Sequence, residues 1–382
     1  MTTSCVKRSV RTSLRMLSMF LLTGFVAVAL NAGEWRRDVV DAAAGSFSSL
    51  RVDANGNAHV AHFDSDEGVV KYSFWDRMLD KWFTTTLDKS RGFCSLVLDS
   101  KQHPHISYLG YGDGPIKYAH WNGTAWEKQG IHIRAKDISF YTSIALDAKE
   151  NPTISYYHYW GTTESYTLSL RMVFWTGTYW GVRTVDSTPG SGKFNAIATD
   201  PSGNSHIAYA NVKSENMGLR YARWNGQSWE VQVLNAWLSP NVGASSVAIV
   251  VDREGNPHIA FTEFGTNLVR YAVSRAGKWT FETIAQVAEV GYPERIGLAL
   301  DAQGNPYISY FDVGSGLLQV AHHAGQKWLI EIVDQNGAGF NSSLQVAAGS
   351  IWVTYRDESG RGLKCARRPL EEAPPVPAPP QK

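Results

Sequence analysis

Cysteine is nearly absent from this chain of 382 residues: Cys5, Cys94 and Cys365 are all it has. Three residues so far apart build neither a disulfide framework nor a zinc site with paired ligands, so core burial must stabilise the fold. Cys94 and Cys365 fall in different copies of the repeat described below and are expected as two buried thiols, not a disulfide. An excess of charge is missing too. With 36 basic and 35 acidic residues the chain is nearly neutral, which gives no footprint for nucleic acid or an anionic membrane. There is no Gly-rich phosphate loop, no Gly-x-Ser-x-Gly elbow and no His-Glu-x-x-His. No cofactor and no metal are expected. Long helical periodicity is also lacking, whereas 14 Trp, 34 Gly and 12% aromatic residues fit many short strands joined by turns.

The one long apolar run, "MLSMFLLTGFVAVAL" from Met16 to Leu30, follows Lys7, Arg8, Arg11 and Arg15 and ends in an Ala27-Val28-Ala29 pattern. That is the order of a secretory signal. The run is short of the roughly 20 residues a spanning helix needs. Residues 1–32 are therefore expected to be a cleaved signal peptide, with export to the periplasm or the exterior and no membrane insertion afterwards.

Beyond the leader one pattern recurs at intervals of roughly 46 to 53 residues, the range of propellers and solenoids. Its first segment ends in Asp53, Asp99, Asp147, Asp200, Asp252 and Asp301, with Ala347 in the seventh copy. Turns such as "ANGN" and "PSGN" lead to a second segment, as in "HISY" from His105 and "HIAY" from His206. A third segment such as "IKYAHW" (Ile116 to Trp121) follows. The fourth opens with Trp and places an aliphatic residue five positions on, as Trp126 with Ile131 and Trp229 with Leu234. Each copy thus offers four short strands.

The seventh copy stops after its third segment, "LKCARR" from Leu363 to Arg368, while Trp35, Val40 and Asp41 near the start match an isolated fourth one. Strands from both termini completing one blade would close a ring by ordinary ladder hydrogen bonds. The expectation is all-β: a seven-bladed β-propeller of four-stranded antiparallel blades over residues 33–368. The proline-rich "PLEEAPPVPAPPQK" at 369–382 is expected to be a disordered tail.

The turns into the fourth strands carry a Gly-x-x-Trp ending: Gly123 with Trp126, Gly177 with Trp180, Gly226 with Trp229. In this the chain resembles the sialidase and Asp-box (BNR-like) group of propellers. The Ser and Asp of the Asp-box are replaced, by Ala119 and Trp121 in one copy and by Ala222 and Trp224 in another, and no Arg-Ile-Pro occurs. The resemblance thus implies the fold more than the enzyme. The chain is also similar to secreted propeller lectins, whose specificity does not follow from the fold.

Residue types returning in every blade are read as scaffold. The histidines His59, His105, His206 and His258 are expected to be packed and hydrogen-bonded. Lys71, Lys117, Arg171, Arg220, Arg270 and Lys364 are expected to cover blade faces with their stems. The varied connections, from second to third and from fourth to first strands, share one face, and binding chemistry is placed there. They supply the candidates Tyr111, Asp113, Arg134, Tyr141, His158, Trp160, Glu164, Tyr292, Arg295 and Phe340. Exposed aromatics beside polar groups suit a sugar, which has an apolar face and a rim of hydroxyls. If the second strand lies near the axis, Asp64, Glu263, Asp312 and Asp357 would form an acidic ring at the same rim. Two such carboxylates at a suitable distance would hydrolyse glycosides. The expected function is a secreted, monomeric module binding a glycan or a cell-surface protein without turnover. The alternatives are a sialidase-like hydrolase or polysaccharide lyase, and a structural cell-surface module.

Overall fold

Asp53 shows how the repeat makes its hairpins. Its carbonyl accepts from the Gly56 N–H, its own N–H donates to the Asn57 carbonyl, and Gly56 takes a φ of 82°, which a residue with a Cβ adopts only under strain. The same turn recurs at Asp200, Asp252 and Asp301. The computed structural model describes residues 34–111, 115–132, 138–161, 166–213, 217–234, 243–290, 295–325, 327–335, 337–357 and 359–370. The expected leader and most of the expected tail lie outside them.

These residues form seven four-stranded antiparallel sheets, with no helix among them, arranged as a β-propeller. Blades 1 to 6 span 46–89, 95–131, 138–186, 191–233, 243–286 and 297–334. Blade 7 combines three strands within 343–369 with the N-terminal strand Arg36–Asp41, whose Arg37 pairs with Ala366 and Val39 with Lys364. The first and the last described strands thus share one sheet, consistent with the orphan Trp-led segment.

In blades 1 to 6 the strands run in sequence order from inside to outside, and in blade 7 the N-terminal strand takes the outermost place. The first strands touch one another around the ring and line a central channel. The condition set for an acidic ring, a second strand near the axis, is not met: second strands such as Pro104–Leu109 are buried on both faces between their neighbours. Between blades, apolar side chains pack in clusters, for example Ile116, Ile131, Ile144, Ile154 and Val173 across blades 2 and 3. The Trp opening a fourth strand meets a Tyr of the preceding blade edge-on, as Trp126 meets Tyr72 at 4.9 Å and Trp279 meets Tyr221 at 5.1 Å.

The third-strand cations do more than cover faces. Lys117 and the Tyr108 hydroxyl both donate to Asp88 of the preceding blade, at 2.8 and 2.9 Å. Arg220 and Tyr209 do so to Asp186, at 3.1 and 2.8 Å, and Tyr355 donates to Asp334 at 2.6 Å. Lys71 lies 3.5 Å from Asp41, tying blade 1 to the N-terminal strand. The carboxylate that ends one fourth strand is thus a staple to the next blade. Cys94 and Cys365 are free buried thiols, and burial pushes the Cys94 thiol up to about 12.

At the opposite end, each repeat histidine joins a chain from Asp to Tyr. His206 Nε2 lies 3.4 Å from Asp200 and its Nδ1 2.6 Å from the Tyr221 hydroxyl. Burial lowers the pKa of His59, His105, His206 and His258, and takes the fully enclosed His62 to about 4. An unfolded histidine binds its proton near pH 6.5 and these folded ones resist it. The unfolded state then binds more protons, so stability is full above about pH 6.5 and falls as pH drops below it. His62 alone contributes on the order of 2 to 3 kcal/mol to this fall. The melting temperature should therefore begin to drop just below pH 6.5, well before the carboxylates protonate; a plateau down to pH 4.5 would refute this.

Candidate functional site

The channel mouth is built from a backbone irregularity repeated around the ring. Six residues before Asp53, Asp99, Asp147 and Asp200 stand Phe47, Phe93, Tyr141 and Phe194, with Asn341 before Ala347, while Ser246 and Arg295 hold the place in blades 5 and 6. The first five have left-handed backbone, with φ between 53° and 56°. For bulky residues this conformation is strained by roughly 1 to 3 kcal/mol each and persists only where the surroundings impose it. The cause is a β-bulge: first and second strands lose register between Ser46 and Ser49 in blade 1 and between Phe140 and Ser143 in blade 3. A bulge re-aims a side chain, and here it turns the aromatic rings to the channel.

The carbonyls freed by the bulges are satisfied across blades. Cys94 Sγ donates to the Phe47 carbonyl at 2.9 Å, Thr142 Oγ1 to that of Phe93, and Asn195 Nδ2 to that of Tyr141 at 2.8 Å. Ser342 and Ser48 hydroxyls do the same for Arg295 and Asn341. One step deeper the direction reverses: Ser49, Ser95, Ser143, Ser246 and Ser343 hydroxyls accept from the N–H of Leu96, Ile144, Ile197, Ile296 and Leu50 in the next blade. These two rings of bonds fix the mouth by contacts that strand ladders do not make.

The result is a continuous aromatic arc. Ring centroids are 4.3 Å apart between Phe47 and Phe93, 4.6 Å between Phe93 and Tyr141, and 5.1 Å between Tyr141 and Phe194. Arg295 of blade 6 reaches to the far side, donating to the Ser48 carbonyl at 3.2 Å and the Cys94 carbonyl at 3.1 Å. Its guanidinium also lies 5.7 Å from the Phe47 ring. Below it Arg51 enters the same cavity, which has a volume of about 170 Å³.

The structure brings two of the expected residues, Tyr141 and Arg295, together in this cavity. Asp113, Arg134, Glu164 and Tyr292 lie outside the described residues. Trp160 and Tyr111 are exposed on the rim; Trp160 sits on the long hairpin of blade 3, where Tyr159 stacks on Tyr166 at 5.3 Å. His158 is buried beneath that hairpin, with Nδ1 3.3 Å from the Ser169 hydroxyl, and Phe340 packs on Phe311 at 4.4 Å. Phe47, Phe93, Phe194 and Arg51 were not among the expected residues. The recurring aromatic followed by Ser, Cys, Thr or Asn was the signal for the three rings in the sequence, and Arg51 had none.

The supposed acidic ring does not line the channel; these acids cap second-strand ends. Asp64 accepts from Lys71 at 2.7 Å and from the N–H groups of Asp66 and Glu67. Glu263 lies 3.0 Å from Arg270, and Asp312 and Asp357 accept from Ser315 and Ser359 at 2.7 and 2.6 Å. Burial raises the pKa of Asp64, Asp312 and Asp357, but these bonds outweigh it and hold all three below the ordinary carboxylate value. Asp64, Asp312 and Asp357 are thus not kept protonated as a general acid must be.

No family model matches the chain, and no curated protein matches it in sequence. Solved structures do match in shape. An ulvan lyase of a new polysaccharide lyase family, bound to -[GlcA(1-4)Rha3S]-, aligns with a TM-score of 0.56 at 13% identity, over 86% of this chain and 95% of its own. The polysaccharide lyase Uly1 gives 0.54 at 13% identity, over 86% and 90%. The SapL1 lectin in complex with alpha methyl fucoside gives 0.51 at 12% identity, over 77% and 96%. At such identities the likeness shows the fold, a β-propeller that both carbohydrate-active enzymes and carbohydrate-binding lectins use.

Proposed function

We propose that the protein is an exported carbohydrate-binding propeller that holds a glycan over the channel mouth, on the face of the varied connections, without turning it over. The observation that carries this reading is the aromatic arc in left-handed backbone. Four successive blades keep a bulky ring where the backbone is strained and where Asn or Gly would fit without cost. Phe194 is buried and Phe47 and Tyr141 pack in part against neighbouring cores, while the part-buried rings at the mouth offer a sugar a flat apolar face. Trp160, Tyr166 and Tyr111 extend the same chemistry along the rim.

What supports binding without turnover is the composition of the cavity: its described lining holds neither a carboxylate nor a histidine. Hydrolysis by a pair of carboxylates has no residues to run on in this lining, and elimination would leave Tyr141 as the phenol beside the sugar ring. The test is an array of neutral and acidic glycans probed with the intact protein, with each spot assayed for ligand lost over time. Saturable binding at constant ligand is the expected result. Progressive loss of any bound glycan would make the protein an enzyme, and silence across the array would point to a protein ligand.

A further inference from the structure

We infer that the channel below the mouth is an oxyanion site, in which Arg51 and Arg295 together hold a carboxylate, sulfate or phosphate group. The first ground is an imbalance of charge. Both side chains line one cavity, and among the described residues neither has a carboxylate within ion-pair distance. Arg295 is anchored to the Ser48 carbonyl and Arg51 to the Leu50 carbonyl at 2.7 Å. Those carbonyls are two residues apart on one strand, no more than about 7 Å. Two cations are thus held close together in an enclosed channel. Elsewhere in the molecule the buried cations Lys71, Arg220 and Arg368 each face an acid.

The second ground is unused bonding capacity. Arg51 makes one hydrogen bond to protein and Arg295 two, which leaves most of their N–H donors for another acceptor. A planar guanidinium fork suits a carboxylate, sulfate or phosphate, and an enclosed site strengthens the bond. Burial lowers the pKa of both groups, Arg51 to about 10, so a bound anion would restore what desolvation removes. A volume of about 170 Å³ is below the roughly 300 Å³ of an ordinary ligand pocket yet ample for one such group. The group is either a free ion or the acidic substituent of a saccharide resting on the aromatic arc; the second source rests on the proposed function and the first does not.

The test uses the intact protein with sodium sulfate, sodium phosphate or sodium glucuronate, each against sodium chloride at equal ionic strength. Melting temperature and calorimetric heat are followed with concentration. Sulfate excluded from the surface stabilises in proportion to its concentration, whereas a site saturates. At least one anion should raise the melting temperature saturably, and Arg51→Gln should weaken that anion at least tenfold. The variant should also melt higher than the parent in anion-poor buffer, because one of two like charges is gone. Arg295→Lys, which keeps the charge but not the fork, should weaken the same anion and serves if Arg51→Gln does not fold. Saturation by sulfate or phosphate but not glucuronate assigns a free ion. Saturation by glucuronate that is lost in both Arg51→Gln and Phe93→Asn assigns the acidic group of a saccharide. Linear, identical responses in parent and variants would overturn the site. Neutral glycans binding without any anion effect would overturn it while leaving the proposed function standing.

Discussion

Asp186→Ala should lower stability by about 3 to 5 kcal/mol, the cost of stranding one partner of a buried ion pair. At a few degrees per kcal/mol this is a fall in melting temperature on the order of 10 °C. Asp186 is buried at the end of blade 3 and receives four hydrogen bonds: from the Thr188 N–H, the Ser191 and Tyr209 hydroxyls, and Arg220. Burial pushes its carboxyl up and those bonds more than reverse it, so the group stays ionised well into acid. The Ala variant strips the buried Arg220 guanidinium of its carboxylate, leaving it only the Thr188 hydroxyl, and the Tyr209 hydroxyl of its acceptor. Both belong to blade 4, so the damage falls on a blade junction and not within a sheet. Arg220→Met in the Asp186→Leu background should recover much of the loss, since a well-packed apolar pair often matches a buried ion pair. Thermal unfolding of the two variants decides it. Equal melting temperatures for parent and Asp186→Ala would mean that the staple contributes nothing.

Asp186 also shows what a linear reading of the repeat reveals and what it hides. The sequence makes the hairpin turns plain, because Asp, Gly and Asn recur at fixed offsets and each has a local backbone role. It equally betrays the split blade, because a Trp-led strand without its first three partners stands at one end and its complement at the other. Which groups meet across a junction is another matter. Asp186 and Arg220 lie in different blades, and nothing local links the end of one fourth strand to the third strand of the next. Arg220 therefore reads as a surface cation until the blades are packed. The mouth is hidden for a second reason. Alternation assigns a strand residue to a face only while the register holds, and one inserted residue exchanges the faces. The bulges before Ser49 and Ser143 do this, so Phe47 and Tyr141 point where a period-two pattern would not put them. Tyr141 entered the candidate set as a loop residue, and Phe47 did not enter it at all.

Phe93→Asn should leave the fold standing and abolish most of the glycan binding. Phe93 has a φ of 54°, packs tilted against Phe47 and edge-on against Tyr141, and is only part-buried. Losing its three aromatic contacts, to Phe47, Phe140 and Tyr141, costs about 0.5 to 1.5 kcal/mol each. Placing Asn in left-handed backbone recovers roughly 1 to 3 kcal/mol of strain. The two effects offset one another, and the chain itself demonstrates the exchange in blade 7, where Asn341 holds the equivalent position at 56°. The Thr142 hydroxyl bonds to the Phe93 backbone carbonyl, so that cross-blade contact survives the substitution. Binding has no such compensation: the arc is broken at its centre, and a loss of about 1.4 kcal/mol or more means at least a tenfold rise in Kd. Phe93→Tyr, which keeps the ring, should bind like the parent. Melting temperature and glycan affinity measured side by side separate the two roles of the ring. An unchanged melting temperature with binding lost makes the strained aromatics a recognition surface. A melting temperature several degrees lower with binding intact would reduce them to packing, and the proposed function would lose the observation on which it stands.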